Sequence, residues 1–459
     1  MRFDDTFDIP IELLEKYDRP GPRYTSYPTA PQFHPGVGPE RFVRHFSNPK
    51  DRQRALSLYI HIPFCEKLCY FCACTMKVTH NRARIAEYLH FLIEEMNMYA
   101  QYVGDRPVKQ IHWGGGTPTY LTPDEIRMLG EATHRLYHVC SDAEISVEVD
   151  PRGISDDHFH AMKEIGVNRI SMGVQDFYEP TQRAVNRWQP ESLTRYYVEL
   201  ARKMNFKSVN LDFIYGLPYQ TPATFEATLE RLIDMRPERI AIFNYAHVPW
   251  MKKHQKLIPE KALPTPHQKI EILKLAIDRL TAAGYLFIGM DHFALPEDDL
   301  ARALQNNTLY RNFQGYSTHA ECDILAHGIS GISQTRRMYA QNTKDFKAYY
   351  AAVKAGRPAT ERGVILNRDD MLRRDVIMTL MCKFALTFDD IEAKYNIHFN
   401  DYFSRELSEL DEFILDGLLT MNDREIRVTQ NGRLVIRNIA MVFDKYLRAA
   451  KAVRFSRTI

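Results

Sequence analysis

The sequence predicts an α/β protein whose centre is a partial (β/α)6 TIM-like barrel. Apolar runs rich in β-forming residues alternate with helical segments, and six strand–helix units in a row require a parallel sheet with right-handed crossovers. This alternation alone would also allow a complete barrel or a doubly wound sheet. Polar residues stand at or near the ends of successive runs, where barrel enzymes assemble their sites, and this favours the barrel. The runs cover residues 57–64, 108–115, 144–150, 168–175, 208–216 and 239–248.

Helical segments fill the intervals between these runs, for example over Ala83–Tyr99, Pro123–His138 and Thr224–Met235. Two segments begin with a capping box. Thr122 and Thr265 each stand at an N-cap, with Pro at the next position and Glu or Gln two residues after the Pro. These signals fix the start of two predicted helices.

Three regions are expected along the chain. Residues 1–54 are rich in Pro, Arg and aromatic residues and predict an N-terminal arm or lid. Residues 55–360 are expected to form the barrel. Residues 361–459 read as three helices and a hairpin turning at Gln430–Gly432, which predicts a helical, winged-helix-like domain. Such a domain either packs as a lid or binds DNA, and the lack of a clean basic face on its last helix favours packing.

The composition gives no indication of a nucleic-acid-binding, membrane or secreted protein. The 459 residues include 60 basic and 58 acidic residues, a net charge of +2, which gives no reason to expect a nucleic acid or a membrane as partner. The first residues are acidic and lack the apolar core of a signal peptide, and no stretch is long and apolar enough to span a bilayer. We therefore expect a cytoplasmic protein.

Four of the seven cysteines lie within ten residues, and three of them have the spacing C-x3-C-x2-C: Cys65, Cys69 and Cys72. Three thiolates on one loop can bind three corners of a [4Fe-4S] cluster and leave the fourth iron open to a small molecule. Zinc is an alternative if Cys74 or His61 completes the ligand set. A redox-active C-x-x-C pair at Cys69 and Cys72 is a further alternative.

The motif C-x3-C-x-Phe-C after a first strand resembles that of the radical S-adenosylmethionine (AdoMet) superfamily, with Phe71 as the aromatic residue. Over almost its full length the chain is similar to the family of oxygen-independent coproporphyrinogen III oxidases (dehydrogenases). The matching segments include PRYTSYPTA (22–30), SLYIHIPFC (57–65), HWGGGTPTY (112–120), SVEVDPR (146–152), SMGVQDF (171–177), DFIYGLP (212–218) and RNFQGYSTH (311–319).

The resemblance implies cofactor contacts at matching positions. The glycines before Thr117 would allow close backbone approach to a ligand, and a carboxylate ending the third strand would accept hydrogen bonds from ribose hydroxyls. The implied contacts to a first AdoMet are Tyr59, Phe71, Gly115, Gly116, Thr117, Glu148 and Ile332. A second AdoMet would lie among Gln175, Arg187, Asp212 and Ala246, with Gly116 and Thr117.

The function implied by the resemblance is oxidative decarboxylation of two propionates of coproporphyrinogen III to vinyl groups, without oxygen, in haem biosynthesis. A 5′-deoxyadenosyl radical formed from AdoMet would start each step. Arg23 is a candidate partner for a substrate carboxylate, within a strip of cationic and aromatic arm residues that includes Tyr24 and Tyr27. An electron donor and an electron acceptor, both unidentified, are implied, and a monomer is expected.

Two alternatives remain open from the sequence. A haem-binding chaperone of the same fold would keep the cluster, although the long arm argues against it. A DNA-binding iron–sulfur sensor using the C-terminal hairpin would leave the Gly-Gly-Gly-Thr segment at 114–117 and the polar strand ends unexplained.

Overall fold

The computed structural model describes residues 7–51, 53–449 and 455–459. Its centre is a twelve-stranded mixed sheet. Six neighbouring strands of this sheet run parallel, and they coincide with the six predicted apolar runs. They are β1 (Leu56–Ile62), β2 (Val108–Gly115), β3 (Val139–Val149), β4 (Arg169–Gln175), β5 (Ser208–Tyr215) and β6 (Arg239–Asn244).

Six further strands extend the sheet at both sides: β7 (Leu286–Gly289), β8 (His292–Ala294), β9 (Asp323–His327), β10 (Ile332–Thr335), β11 (Met338–Asn342) and β12 (Thr360–Ile365). Strand β9 pairs in parallel with β1, whereas the other added strands pair antiparallel. The order is β12-β11-β10-β9-β1-β2-β3-β4-β5-β6-β8-β7. Within the described residues the two outermost strands do not pair, so the barrel is partial, as predicted.

In its described part (residues 7–51 and 53–54) the N-terminal arm contains two α-helices, α1 (Ile11–Tyr17) and α2 (Pro39–Phe46). Its side chains join the cores that they cover: Phe42 and Phe46 belong to the barrel core, whereas Leu14 and Tyr24 belong to the core shared with the C-terminal region. Backbone hydrogen bonds between His34 and Gly363 attach the arm to β12. The arm is thus an integrated layer of the fold.

Nine helices accompany the sheet between β1 and β12. They are α3 (Arg82–Val103), α4 (Pro123–Leu136), α5 (Asp156–Glu164), α6 (Glu179–Ala184), α7 (Glu191–Lys203), α8 (Pro222–Met235), α9 (Pro266–Ala282), α10 (Asp299–Gln305) and α11 (Phe346–Lys354). The predicted capping boxes at Thr122 and Thr265 are confirmed, since each side chain accepts from the N3 amide while the N3 side chain accepts from the N-cap amide. Among the described residues, no helix has the combination of length and apolar character that crossing a membrane requires.

The C-terminal region is a helical domain with a small antiparallel sheet of order β13-β15-β14. Its elements are α12 (Arg368–Lys383), β13 (Ala385–Thr387), α13 (Phe388–Tyr395), α14 (Phe399–Tyr402), α15 (Ser404–Ser408), α16 (Asp411–Leu415), β14 (Leu419–Met421), β15 (Glu425–Val428), α17 (Ile436–Met441) and α18 (Lys445–Ala449). The strand between the first two helices pairs with the hairpin, and two short helices follow the hairpin. The predicted helical character of the domain is thus confirmed.

Three details of this domain differ from the sequence prediction. Five helices precede the hairpin instead of three. The hairpin turns at 422–424 and not at Gln430–Gly432, because the Asn422 side chain accepts hydrogen bonds from the amides of Arg424 and Glu425 and closes the turn there. The predicted boundary between residues 360 and 361 falls inside β12, so the barrel sheet continues to Ile365.

One buried guanidinium joins the arm, the chain end and the C-terminal domain. Arg437 in α17 donates to the carbonyls of Gly21 (2.6 Å) and Pro22 (3.1 Å) in the arm and to those of Arg457 (3.5 Å) and Thr458 (3.1 Å) near the chain end. Burial, together with Arg23 and Arg311 nearby, lowers its pKa to about 10, so it stays charged at neutral pH.

Replacing Arg437 with Met is expected to leave these carbonyls without their shared donor. Since each buried polar group left unsatisfied costs about 1–3 kcal/mol, we expect a loss of about 3 kcal/mol in the free energy of unfolding, together with faster proteolysis of the arm. Urea denaturation and limited proteolysis measure both effects. The control is Arg405→Met, which removes an exposed guanidinium paired with Glu409 at 3.1 Å. Equal denaturation midpoints for the two variants would contradict a stabilising role for the Arg437 hydrogen bonds.

Candidate active site

A cavity of about 770 Å³ opens at the carboxyl ends of the parallel strands. Residues of the cysteine loop line one side, and residues from the ends of β3, β4 and β5 line the other. A second cavity of about 180 Å³ lies deeper in the barrel and shares Glu148, Ser171, Asp212 and Phe243 with the first. The two cavities therefore form one continuous site.

The strands alternate between an apolar outer face and a polar inner face. In β1, Leu58 and Ile60 are fully buried in the core, whereas Tyr59 and His61 on the other face form a hydrogen bond of 3.0 Å with each other. This period of two follows from strand geometry. The other inward polar side chains line the deeper cavity: Gln110, His112, Glu144, Ser146, Glu148, Arg169, Ser171, Ser208, Asn210, Asp212 and Arg239.

Ion pairs close the floor of the barrel. Arg169 contacts Glu144 at 2.8 Å and Asp298 at 3.5 Å, and it also pairs with Asp299. Arg239 adds a contact of 2.8 Å to Asp298. Arg169 and Asp298 are buried, and buried charges of this kind are stable only when paired. The floor thus separates the site from solvent at the amino-terminal end of the strands.

Hydrogen bonds hold the cysteine loop from both sides. The Tyr70 amide donates to the Val185 carbonyl at 3.0 Å, and the Asn186 side chain donates to the Leu68 carbonyl at 2.8 Å. On the other side, four carbonyls of the loop accept side-chain hydrogen bonds. The pairs are Gln255 with Phe71 (3.0 Å), His254 with Cys72 (2.7 Å), Lys252 with Cys74 (2.9 Å) and His61 with Thr75 (2.9 Å).

Two arginines place positive charge beside the Cys69 sulfur. Arg152 Nη2 lies 3.4 Å and Arg187 Nη1 lies 3.7 Å from Cys69 Sγ. Both arginines also bind Asp150, at 2.7 and 3.0 Å. Although burial opposes its charge, these partners lower the pKa of Asp150 to about 2. Thr117 Oγ1 donates to the Cys65 sulfur at 3.3 Å. These contacts place hydrogen-bond donors beside two sulfurs of the motif, whereas burial raises the pKa of the free Cys65 thiol.

The spacing of the cysteines fits a cluster better than a single ion. Zn–S bonds of about 2.3 Å hold tetrahedral thiolate sulfurs about 3.8 Å apart. Among the described residues, the one set of three potential ligands whose donor atoms all lie within 4.8 Å of one another is His319, Glu321 and Cys322. The thiols of the C-x3-C-x2-C motif are more widely spread, as expected when each binds a different iron of a [4Fe-4S] cluster.

The three glycines before Thr117 are required by close contacts with the protein itself. A Cβ on Gly115, whose φ is +117°, would lie 2.5 Å from the His61 ring. A Cβ on Gly114 would lie 2.8 Å from the Glu148 carboxylate, and one on Gly116 would lie 2.7 Å from the Pro63 backbone. The glycines therefore let β2 approach both the cysteine loop and β3, and this packing is a reason for them that the sequence did not reveal.

Glu148 receives two hydrogen bonds, from the Gly115 amide at 3.1 Å and from His112 Nε2 at 3.4 Å. Enclosure in the site would raise its pKa, but these donors lower it below the usual range, so the carboxylate is charged at neutral pH. Tyr59 stacks on His112 with ring centroids 6.0 Å apart. The end of β3 thus presents a fixed anionic acceptor to the cavity.

A second polar group stands on the wall formed by β4 and β5. Asp212 accepts from Ser171 at 2.9 Å and from Asn210 at 2.7 Å, and burial raises its pKa to about 6. Arg187 donates to the Gly173 carbonyl at 2.6 Å, and its Nε has no partner among the described residues. Gln175 has a φ of +73°, which is a strained conformation for a residue with a side chain.

Comparison with known proteins identifies the family. The radical SAM superfamily profile matches residues 59–232, and the HemN C-terminal domain profile matches residues 366–435. An oxygen-independent coproporphyrinogen III oxidase from Pseudomonas aeruginosa is 44% identical over 458 residues, which cover 99% of this chain and 100% of the relative. The chain belongs to the oxygen-independent coproporphyrinogen III oxidase family. Membership of the radical SAM superfamily implies a [4Fe-4S] cluster and AdoMet.

Two further relatives support the assignment to this oxidase family. The protein of the same name from Escherichia coli K12 is 46% identical over 453 residues, covering 98% of this chain and 99% of the relative. The solved structure of coproporphyrinogen III oxidase (HemN) from Escherichia coli, described as a radical SAM enzyme, superposes with a TM-score of 0.92 at 45% identity. It covers 96% of this chain and 99% of that chain. The similarity therefore includes the arm and the C-terminal domain as well as the barrel.

The structure gathers most of the residues that the sequence predicted for the site of this oxidase. The larger cavity is lined by Cys65, Cys69, Cys72, Phe71, Gly116, Thr117, Glu148, Gln175, Arg187 and Asp212. Tyr59 and Gly115 lie behind this lining and contact His61, His112 or Glu148. Ala246 binds Gln255 through its carbonyl, and Ile332 packs in a small core with Phe33. The roles of all these residues in binding AdoMet stay predictions.

Arm residues of the oxidase divide between surface and core. Arg23 donates to Asp291 at 2.8 Å and lies over the Phe243 ring at 5.9 Å, beside the cavity. Tyr24 and Tyr27 are 1% and 0% exposed, because their hydroxyl groups are hydrogen-bonded to the C-terminal domain at Asp444 and Lys445. The prediction that Tyr24 and Tyr27 belong with Arg23 to a strip available to the substrate is therefore wrong.

Sequence reasoning missed several residues that shape this site. Asp150 and Arg152 lie two and four positions after Glu148 and were visible only as part of a matching segment. His112, Ser171 and Asn210 occupy inward positions that a strict period of two along each strand would have identified. The residues 252–255 that bind the loop carbonyls lie far from the cysteines in sequence, and no local signal could have found them.

We expect Cys69→Ser to abolish cluster binding and Cys74→Ser to retain it. Three thiolates suffice for a cluster that keeps one iron open, and the Cys74 amide already donates to the Cys72 sulfur at 3.4 Å, which places Cys74 beside a ligand. Iron content and visible absorbance after anaerobic reconstitution measure the outcome. Equal loss of iron in the two variants would show that Cys74 is a fourth ligand.

Proposed function

We propose that this protein converts coproporphyrinogen III to protoporphyrinogen IX without oxygen, by oxidative decarboxylation of two propionate side chains. The observation that supports this most directly is the set of three cysteines lining a cavity of about 770 Å³ at the strand ends, in a chain similar over its full length to oxidases of that name. When bound, the cluster and AdoMet supply a 5′-deoxyadenosyl radical that takes a hydrogen atom from the propionate β-carbon.

The residues of the chain bind, orient and shield the reactants. The closed floor and the buried inner face of the strands limit access of water from below, which a reactive radical requires. The cysteine loop, held through its carbonyls, fixes the position at which AdoMet would be cleaved. Because a radical must form within reach of one C–H bond, this rigidity is the main contribution of the protein to the reaction.

We assign the first AdoMet to the space between the cysteine loop and β3. Glu148 is charged and lies at the cavity wall, so it is suited to accept hydrogen bonds from ribose hydroxyl groups. Thr117 and Phe71 line the same space. Tyr59 stacks on His112, and the Gly115 amide donates to Glu148. Ile332 is the remaining contact to the first AdoMet that the family resemblance implies.

A second AdoMet is proposed beside β4 and β5, at Gln175, Arg187 and Asp212, with Ala246 at the end of β6. Asp212 has a raised pKa because it is enclosed without a cation. The sulfonium or amine of AdoMet would supply that positive charge. Arg187, which already bridges Asp150 and Gly173, would bind the carboxylate.

Arg23 is proposed to bind one substrate propionate. Its guanidinium is held near the cavity by Asp291 and by the Phe243 ring. Arg311 adds a second positive charge in this region, since its Nε donates to the Arg23 carbonyl at 3.4 Å and its Nη1 has no hydrogen-bond partner among the described residues. Two guanidinium groups beside one carboxylate suit a ligand that carries several carboxylates.

The proposed activity is tested by incubating the reconstituted protein anaerobically with dithionite, AdoMet and coproporphyrinogen III. Mass spectrometry of the oxidised porphyrin should show the loss of two molecules of CO2 and four hydrogen atoms per ring, and omission of AdoMet should abolish the change. The Cys69→Ser protein is the matched negative control. Tight haem binding with no decarboxylation would contradict the proposal and support a haem-binding chaperone.

We expect the reconstituted protein to bind two equivalents of AdoMet, and its Arg187→Met variant to bind one. Removal of the guanidinium takes away the proposed partner of the second carboxylate. Equilibrium dialysis with labelled AdoMet measures the stoichiometry, and iron content verifies that the cluster is retained. Arg183→Met, in the same region but with an exposed side chain paired to Glu179, should still bind two. One equivalent in the unaltered protein would contradict a second site.

A further inference from the structure

We propose that the surface around residues 250–257, beside the cysteine loop, docks an acidic protein that carries one electron to the cluster. This inference rests on the proposed function, because cleavage of each AdoMet requires one electron from outside the protein. The surface is defined by Trp250, Met251, Lys252, Lys253, Lys256 and Leu257.

This surface is directly connected to the cysteine loop. Within it, Lys252 donates to the Cys74 carbonyl at 2.9 Å. His254, in the same segment, donates from Nε2 to the Cys72 carbonyl at 2.7 Å. One hydrogen bond therefore separates the 250–257 surface from the backbone of a proposed iron ligand. Cys69, in contrast, is buried beside Arg152 and Arg187 on the cavity side.

Large apolar side chains are concentrated on this surface. Trp250 is 54% exposed, Met251 is 68% exposed and Leu257 is 58% exposed. They account for three of the nine large apolar side chains that are exposed in the described part of the chain. Aromatic residues and Met are enriched in protein–protein interfaces, so such a concentration indicates a contact surface.

Positive charge surrounds these apolar side chains. Lys253 and Lys256 are exposed on the short helical turn Lys253–Leu257. Lys344 adds a further cationic group. Burial and the positive charges of Arg362 and Lys252 lower its pKa. Two acidic groups are also found in this region: Glu260, which is paired with His247 at 3.1 Å, and Glu361, which acts on Lys344. The exposed charges of Lys253 and Lys256 beside the apolar side chains favour an acidic partner.

The electron transfer itself is simple. With a flavodoxin as probe, the anionic flavin hydroquinone loses one electron and becomes the neutral semiquinone. The oxidised cluster gains that electron, and no proton has to move. A small, acidic carrier of this kind can approach the exposed side of the loop while AdoMet and the porphyrinogen occupy the cavity.

The test compares two reductants on the reconstituted holoenzyme. Cleavage of AdoMet is measured as 5′-deoxyadenosine formation, driven either by flavodoxin hydroquinone or by dithionite. We expect the double variant Lys253→Glu/Lys256→Glu to lose about ten-fold or more in rate with flavodoxin at low ionic strength, because charge complementarity steers association. The loss should shrink as salt screens the charges. With dithionite its rate should equal that of the unaltered protein.

The matched control is Lys203→Glu/Lys354→Glu, which makes the same charge change at exposed lysines near the ends of α7 and α11. It should behave as the unaltered protein with both reductants. An unchanged flavodoxin rate in the Lys253→Glu/Lys256→Glu protein would overturn the proposal. An equal loss with dithionite, or preferential binding of this surface to vesicles of anionic phospholipid, would also overturn it. Failure of the unaltered protein to cleave AdoMet with dithionite would instead contradict the proposed function.

Discussion

Alternate residues of the six parallel strands point into the barrel, and in this protein most of those inward positions are polar. Water-filled or ligand-filled space is then required inside, because polar groups buried without partners are costly. The protein meets this requirement with ion pairs at the floor and an open site above them. A conventional barrel core of branched apolar residues would leave no room for AdoMet and a tetrapyrrole.

The arm and the C-terminal domain are packed against one edge of the partial barrel. Residues of both belong to one core with Ile288 of β7 and Ala294 of β8. Arg437 binds carbonyls of the arm and of the last residues at once, so that these two segments are fixed together against the C-terminal domain. The Asn244 side chain at the end of β6 donates to the Ile459 carbonyl at 2.6 Å, which anchors the chain end on the barrel.

The sequence predicted the parallel strands and two helix caps closely, because these depend on local periodicity and on residues three positions apart. It also identified the cysteine motif. It failed where long-range contacts decide the structure. The hairpin turn lies at Asn422 because its side chain closes the turn, although the Asn-Gly pair at 431–432 is the stronger local signal. Tyr24 reads as a surface aromatic residue among prolines but is buried, because Asp444 lies opposite its hydroxyl group.

The central claim is that three cysteines on a rigid loop leave one iron open for AdoMet. The most direct measurement is electron–nuclear double resonance of the reduced, reconstituted protein with AdoMet labelled by 17O in the carboxylate and 15N in the amine. Both nuclei should couple to the cluster, and the coupling should persist in Cys74→Ser. Absence of coupling in the unaltered protein, or its appearance only after removal of Cys74, would contradict the assignment of an open iron.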